Sequence, residues 1–215
     1  GDASPPEGAP PVEDHDEDRF AENIFQRALS NRERFGENLL GSLIQRLDES
    51  VQVFHTVGPE DWDKPCYWPP GPEPVRTMLD MRIGELTMHV WDIRYTIDGY
   101  YHLSGDSVNV LIDTVGRAVR RAFRPDDSVD GQIRYRFEMK TPITATEDIV
   151  VAAQGTHVEP ASAVAADVTF RCDGETYVLV MYGRLSPEDA MAQGRLTFQG
   201  DSELAGSFGR RFKGG

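Results

Sequence analysis

Apolar residues recur at helical spacing through the first half of the chain and at alternate positions in the second, so one sequence predicts two kinds of structure. Phe20, Ile24, Phe25, Ala28 and Leu29 form a short amphipathic segment that Ser30 and Asn31 are expected to interrupt. Leu39, Leu40, Leu43, Ile44, Leu47, Val51 and Phe54 then draw a single apolar stripe over about five turns, the pattern of a helix in a bundle. Gly58-Pro59 stops it. The six prolines from Pro59 to Pro74 exclude regular helix or strand interior and predict a packed loop, anchored by Trp62, Tyr67 and Trp68. A third helix is predicted from near Val75 to Gly99, with Arg82, Glu85 and His89 inside its apolar face rather than opposite it. A fourth is expected from about Asp106 to Phe123, ending before the turn signal Arg124-Pro125-Asp126-Asp127.

From Gln132 the period changes to two. Ile133, Tyr135, Phe137 and Met139 share one strand face, and Ile149 to Ala153 and Asp167 to Cys172 read as further strands. Asp173-Gly174-Glu175 opens a short helix through Leu179 to Tyr182. Ser186-Pro187-Glu188-Asp189 combines an N-cap serine, a first-turn proline and a carboxylate, which starts a helix through Met191. Gly194 closes that helix, Arg195 to Gln199 reads as a strand, and Asp201 to Phe212 as a last helix. The predicted class is therefore α plus α+β, with a tail over 1–18, a helical portion over 19–125 and a small mixed α/β domain over 126–215.

Composition narrows the function classes. A formal net charge of −14 argues against a nucleic-acid partner, whose phosphates require clustered Lys and Arg. No apolar run approaches the roughly 18 residues of a membrane helix. The acidic, Pro-rich start is not a signal peptide, and Glu13-Asp14-His15-Asp16-Glu17-Asp18 reads as a solvated, disordered linker. The chain opens at Gly1 without an initiator Met, which reads as a processed, trimmed or partial product. Cys66 and Cys172 lie far apart and form no CxxC pair, so a reducing cytoplasm is the default compartment.

Candidate chemistry centres on Glu85-Leu86-Thr87-Met88-His89-Val90-Trp91-Asp92. Residues four apart on a helix lie one turn above the other, so Glu85 and His89 present an oxygen and a nitrogen donor to one point. Two donors start a metal site without completing it, because zinc takes three or four protein ligands. A buried Glu-His hydrogen bond inside a bundle accounts for the same spacing. Of the other histidines, His55 stands at a helix C-terminus, where the dipole favours its protonated, non-ligating form. His15 falls in the acidic tail, His102 in a turn, and His157 in a loop or strand end of the second domain.

The run Glu60-Asp61-Trp62-Asp63-Lys64-Pro65, followed by Met81-Arg82-Ile83-Gly84-Glu85 and His89-Val90-Trp91-Asp92-Ile93-Arg94, resembles the mycothiol-dependent maleylpyruvate isomerase family within the DinB-like metal-binding bundles. Gly183-Arg184-Leu185-Ser186-Pro187-Glu188-Asp189-Ala190, Gly194-Arg195-Leu196 and Gly200-Asp201-Ser202-Glu203-Leu204 are similar to that family's sterol-carrier-protein-2-like C-terminal domain. The resemblance implies a partial four-helix bundle followed by an SCP2-like domain. It implies that Glu85 and His89 bind a divalent metal, usually zinc, with a third His from an earlier helix. The family's first two helices have no counterpart here, so the third ligand is missing, with His55 as the substitute within this chain. A fragment, a split protein and a member that has lost the metal remain as alternatives, and a partner chain or homodimer is expected to complete the bundle.

The resemblance further implies a low-molecular-weight thiol cofactor, mycothiol in the isomerase. The thiol adds to the cis double bond of maleylpyruvate, allows rotation and leaves. Asp92 either holds the imidazole as a support of the metal ligands or makes a purely structural salt bridge or hydrogen bond, and Arg82 is read as neutralising the Glu85 carboxylate, with binding of an anionic ligand as the alternative. Trp91 reads as packing. Arg184 and Arg195 are the candidate cations for a dicarboxylate substrate, against a surface or structural role for each, which is the reading preferred. The competing expectation is a non-enzymatic protein, binding a small apolar ligand or acting as a regulatory module, with a metal-free bundle.

Overall fold

A computed structural model describes residues 3–7, 9 and 16–212. Glu13, Asp14 and His15 of the acidic run lie outside the described residues. The chain divides into two compact units, Gly1–Met81 and Arg82–Gly215. Among the described residues no helix is long and apolar enough to cross a membrane.

In the first unit, α1 spans Glu17–Phe35 and α2 spans Leu39–His55, joined by a single 3-10 turn at Gly36–Asn38. Asp16 caps α1 by accepting from the Arg19 amide, so the end of the acidic run opens a helix. The expected interruption at Ser30 and Asn31 does not occur: both are exposed, where polar side chains meet water without breaking the backbone ladder. The helix ends at Gly36, whose φ of 48° no β-carbon favours. The proline-rich loop is anchored as expected, with Trp62 stacked on Phe54 at 6.5 Å between ring centroids and Trp68 edge-on to Phe20 at 6.1 Å. Its two ends pair as a minimal antiparallel ladder, β1 (Pro65–Cys66) on β2 (Glu73–Pro74).

Helix α3 (Val75–Ile97) runs from the first unit into the second. The helix predicted over 106–123 is two, α4 (Gly105–Asp113) and α5 (Val115–Ala122), because Thr114 leaves the helical region and bonds its hydroxyl back to the Val110 carbonyl. A five-stranded sheet follows in the order β5-β4-β3-β6-β7, formed by Gly155–Pro160, Ala145–Ala152, Ile133–Met139, Val168–Cys172 and Thr197–Gly200. β3 and β6 run parallel and the other pairs antiparallel. Strand β5 was not among the predicted strands, since its sequence alternates no large apolar residues, and it places His157 opposite Val150 within the ladder.

The core lies between the sheet and the helices of the second unit. Tyr135, Phe137 and Phe170 point into it at 0% exposure, and Phe208 of α8 (Ser202–Arg211) packs on all three rings. Helix α6 (Gly174–Met181) is buried from Thr176 to Met181, which explains why it is apolar on every side. It can lie this close to α4 because position 174 is glycine: a β-carbon there would stand 2.8 Å from Ile112 Cδ1. Helix α7 (Pro187–Ala192) carries the predicted Ser186 cap. On the other sheet face Asp148 is fully buried between Arg134 and Arg136, at 2.8 Å from each. Burial pushes its carboxyl up, and the hydrogen bonds from Arg136 and Arg134 more than reverse this, leaving it below the ordinary range.

Candidate functional site

The face of α3 that carries Glu85 and His89 belongs wholly to the second unit. Its inner side is fixed by Met88 and Trp91, both buried, with Trp91 stacked on Tyr95 at 4.4 Å. Beside Met88, the buried Gly84 faces the Tyr182 hydroxyl, which a β-carbon there would meet at an ordinary contact distance of 3.8 Å. Burial raises the pKa of that phenol, and the nearby Glu85 charge adds to the rise.

On the outer side, Glu85 Oε2 stands 3.3 Å from His89 Nε2, and Asp92 Oδ2 stands 3.5 Å from His89 Nδ1. The imidazole therefore lies between two carboxylates, one on each ring nitrogen. The pair is not the buried bundle hydrogen bond of the bland expectation, because the two side chains are 65% and 64% exposed. Asp92 is fixed in turn by Arg184, whose Nε and Nη2 donate to its two oxygens at 3.1 and 3.0 Å. Arg184 also donates from Nη1 to the Tyr182 carbonyl at 2.8 Å. The Arg184 hydrogen bonds hold the Asp92 carboxyl below the usual carboxylate range, against the smaller opposing effect of burial.

The remaining predicted residues are dispersed. Arg82 is exposed on α3, and among the described residues no ion pair joins it to Glu85. Arg195, between α7 and β7, reaches the start of α6, donating to Thr176 Oγ1 at 3.1 Å and approaching Glu175 at 3.8 Å. Glu175 also takes the Leu103 amide and pairs with His102 at 2.7 Å. His55 is the exposed last residue of α2 in the first unit. His157 pairs with Glu159 at 3.2 Å. Among the described residues, no three His, Cys, Asp or Glu side chains converge as a metal cluster. Glu85 and His89 fit two positions of a divalent-ion site, and Asp92 is committed to Arg184.

One feature of the C-terminal portion escaped sequence reasoning altogether. Tyr177, fully buried, donates to Glu147 Oε2 at 2.9 Å, and burial raises the Glu147 pKa. Glu147 stands between Thr146 and Asp148, ahead of the strand read from Ile149, so nothing local marked it as the partner of a buried tyrosine.

The SCP-2 sterol transfer family matches residues 130–213. The C-terminal part of the chain is an SCP2 domain. It accounts for the sheet, α6, α7 and α8, while the helices upstream of residue 130 lie outside the match. Among solved structures, a stereoselective inverting sec-alkylsulfatase from Pseudomonas sp. is 17% identical with a TM-score of 0.39, covering 53% of this chain and 17% of its own. The chain thus spans about a sixth of the length of that sulfatase. Sterol Carrier Protein 2 Like 2 from Aedes aegypti is 22% identical with a TM-score of 0.35, covering 48% of this chain and 94% of its own. A UbiJ-SCP2 ubiquinone synthesis protein is 15% identical with a TM-score of 0.31, covering 64% and 95%. No curated protein matches the chain. Arg184, which ties down Asp92, is thus a residue of the SCP2 domain acting on a helix outside it.

Proposed function

We propose that the chain handles a small thiol at the α3 face, as a metal-dependent isomerase or transferase acting on a small electrophile of the maleylpyruvate kind. The observation that supports this reading is the setting of His89. A metal-binding imidazole keeps one nitrogen for the ion and gives the other to a carboxylate that fixes its tautomer. Asp92 on Nδ1 favours the tautomer with its proton there, which leaves the Nε2 lone pair beside Glu85. Glu85 and His89 would hold the ion, zinc by ligand type, and a third donor from outside the pair is required.

A bound divalent ion lowers the pKa of a thiol, so that thiolate exists at neutral pH. The chain's own cysteines do not serve as that nucleophile. Burial raises the Cys66 thiol, and it pushes Cys172 up to about 12, so both stay protonated at neutral pH. In this reading the thiolate is a cofactor's, of the mycothiol type that the family resemblance implies, and a reducing cytoplasm is the compartment that suits it. Metal content of protein purified without chelator tests the reading. Occupancy near one ion per chain, lost in both Glu85→Ala and His89→Ala, is expected; occupancy below about a tenth sinks it.

A second reading is favoured by the family match alone: the SCP2 domain binds a small apolar ligand and the helical portion is a metal-free scaffold. Native mass spectrometry separates the two, since a co-purifying lipid without metal supports the second and metal without lipid the first.

A further inference from the structure

Helices α1 and α2 bury none of their described residues. Leu40, Leu43, Ile44 and Val51 of α2 are 67%, 51%, 52% and 52% exposed, and Ile24 and Phe25 of α1 are 44% and 56% exposed. The α2 residues fall at i, i+3, i+4 and i+11, one continuous stripe along the helix. A solvent-facing helix of a monomer places polar residues there, so this stripe is an unpartnered seam.

We infer that the seam is the contact with a second copy of this chain, with the two α1–α2 segments antiparallel about a two-fold axis to form a four-helix arrangement. The charge pattern selects that partner. The first half of α1 is acidic on balance, with Asp16 as its cap and Glu17, Asp18 and Glu22 against Arg19, whereas its second half is basic on balance, with Arg27, Arg32 and Arg34 against Glu33. An antiparallel copy lays each acidic half on a basic half, and a two-fold axis makes that match twice. A partner of uniform charge satisfies only one half. The area is adequate as well: nine large apolar side chains on the two helices are about half exposed, offering on the order of 800 Å² per chain, what a standard interface buries on each side. The inference is independent of the metal reading, since no ligand of α3 takes part.

Sedimentation equilibrium on the full chain tests it. A dimer is expected, and Leu43→Glu with Ile44→Glu should raise its dissociation constant more than about a hundredfold with the sheet signal in circular dichroism unchanged. Arg32→Glu with Arg34→Glu should raise it about tenfold, an effect that shrinks in high salt. Adding Glu22→Arg to that pair should recover part of the loss, because complementarity returns with the signs exchanged. A chain that stays monomeric at high micromolar concentration overturns the inference. So does a dimer that the Leu43 and Ile44 substitutions leave intact, or a monomer that associates only when a different polypeptide is added.

Discussion

Replacing Arg184 by Met removes the guanidinium that holds Asp92 while keeping the length of the side chain. The wild-type contact consists of two charged hydrogen bonds, at 3.1 and 3.0 Å, to the two oxygens of one carboxylate. A charged hydrogen bond contributes roughly 1.5–3 kcal/mol when well buried. Asp92 is 37% exposed and Arg184 20%, so water takes back much of that, and about 1–2 kcal/mol in total is the expected loss. For a chain of this size that lowers Tm by about 3–6 °C. Urea unfolding of Arg184→Met, Asp92→Asn and the double variant measures it, with a coupling of about 1 kcal/mol expected because both substitutions remove one interaction. The pH dependence carries a sign. The Asp92 pKa is lower in the folded than in the unfolded chain, so its contribution is present above the ordinary aspartate value of 3.8 and fades as pH falls through the folded value. The gap between wild type and Arg184→Met should close in acid. Additive single variants, or a gap that persists in acid, would refute the coupling of the SCP2 domain to Asp92.

Other outcomes follow from the same geometry. If His89 is a metal ligand, Asp92→Asn should weaken metal binding by about 10- to 100-fold in competition titration, and unchanged affinity would show that Asp92 does not orient the imidazole. Phe208→Ala empties a site bounded by Tyr135, Phe137, Phe170 and Phe212 at 4.7–5.5 Å between centroids, and should cost about 3–5 kcal/mol in chemical denaturation. Gly200→Ala should cost about 3 kcal/mol, since φ is +115° and a β-carbon would meet the Asp167 carbonyl oxygen at 2.3 Å; a loss below about 0.5 kcal/mol would mean the turn is free to shift. Glu147 binds its proton more tightly when folded, so stability from this group is present below its ordinary value of 4.5 and falls as pH rises toward the raised folded value. Glu147→Gln should flatten that fall, which a pH series of melting curves reads directly.

Periodicity located most elements because it reports a burial pattern that neighbouring residues share. Leu39 to Phe54 and Ile133 to Met139 are legible for that reason, and the Ser186 cap because its hydrogen bond closes within one turn. The errors fall where a distant or single-residue effect decides. Thr114 breaks the α4–α5 helix through one hydroxyl, and β5 is a strand because β4 offers it an edge, not because its own residues alternate. The exposure of the Leu39 to Phe54 stripe is not written in its own periodicity, since a stripe states that a helix needs a partner and not whether the partner belongs to the same chain; the expectation of an outside partner comes from the two bundle helices that have no counterpart here.

The site divides in the same way. Glu85, His89 and Asp92 lie within two turns, so the sequence places them on one face, and the structure sets both carboxylates against the imidazole. Arg184 is 92 positions from Asp92 in the chain, and nothing local marks the two as partners. By type Arg184 could serve a dicarboxylate substrate or the fold; in the structure its guanidinium is occupied by Asp92 and the Tyr182 carbonyl. Arg195 is likewise turned toward Thr176 and Glu175. If the proposed thiol chemistry acts on an anionic substrate, its cation is to be sought elsewhere, and Arg82, exposed one turn before Glu85 on the same helix, is the residue we propose for it. Arg82→Gln tests it: a raised KM with unchanged kcat and metal content is expected for a substrate-holding cation, whereas loss of metal would return Arg82 to the support of Glu85.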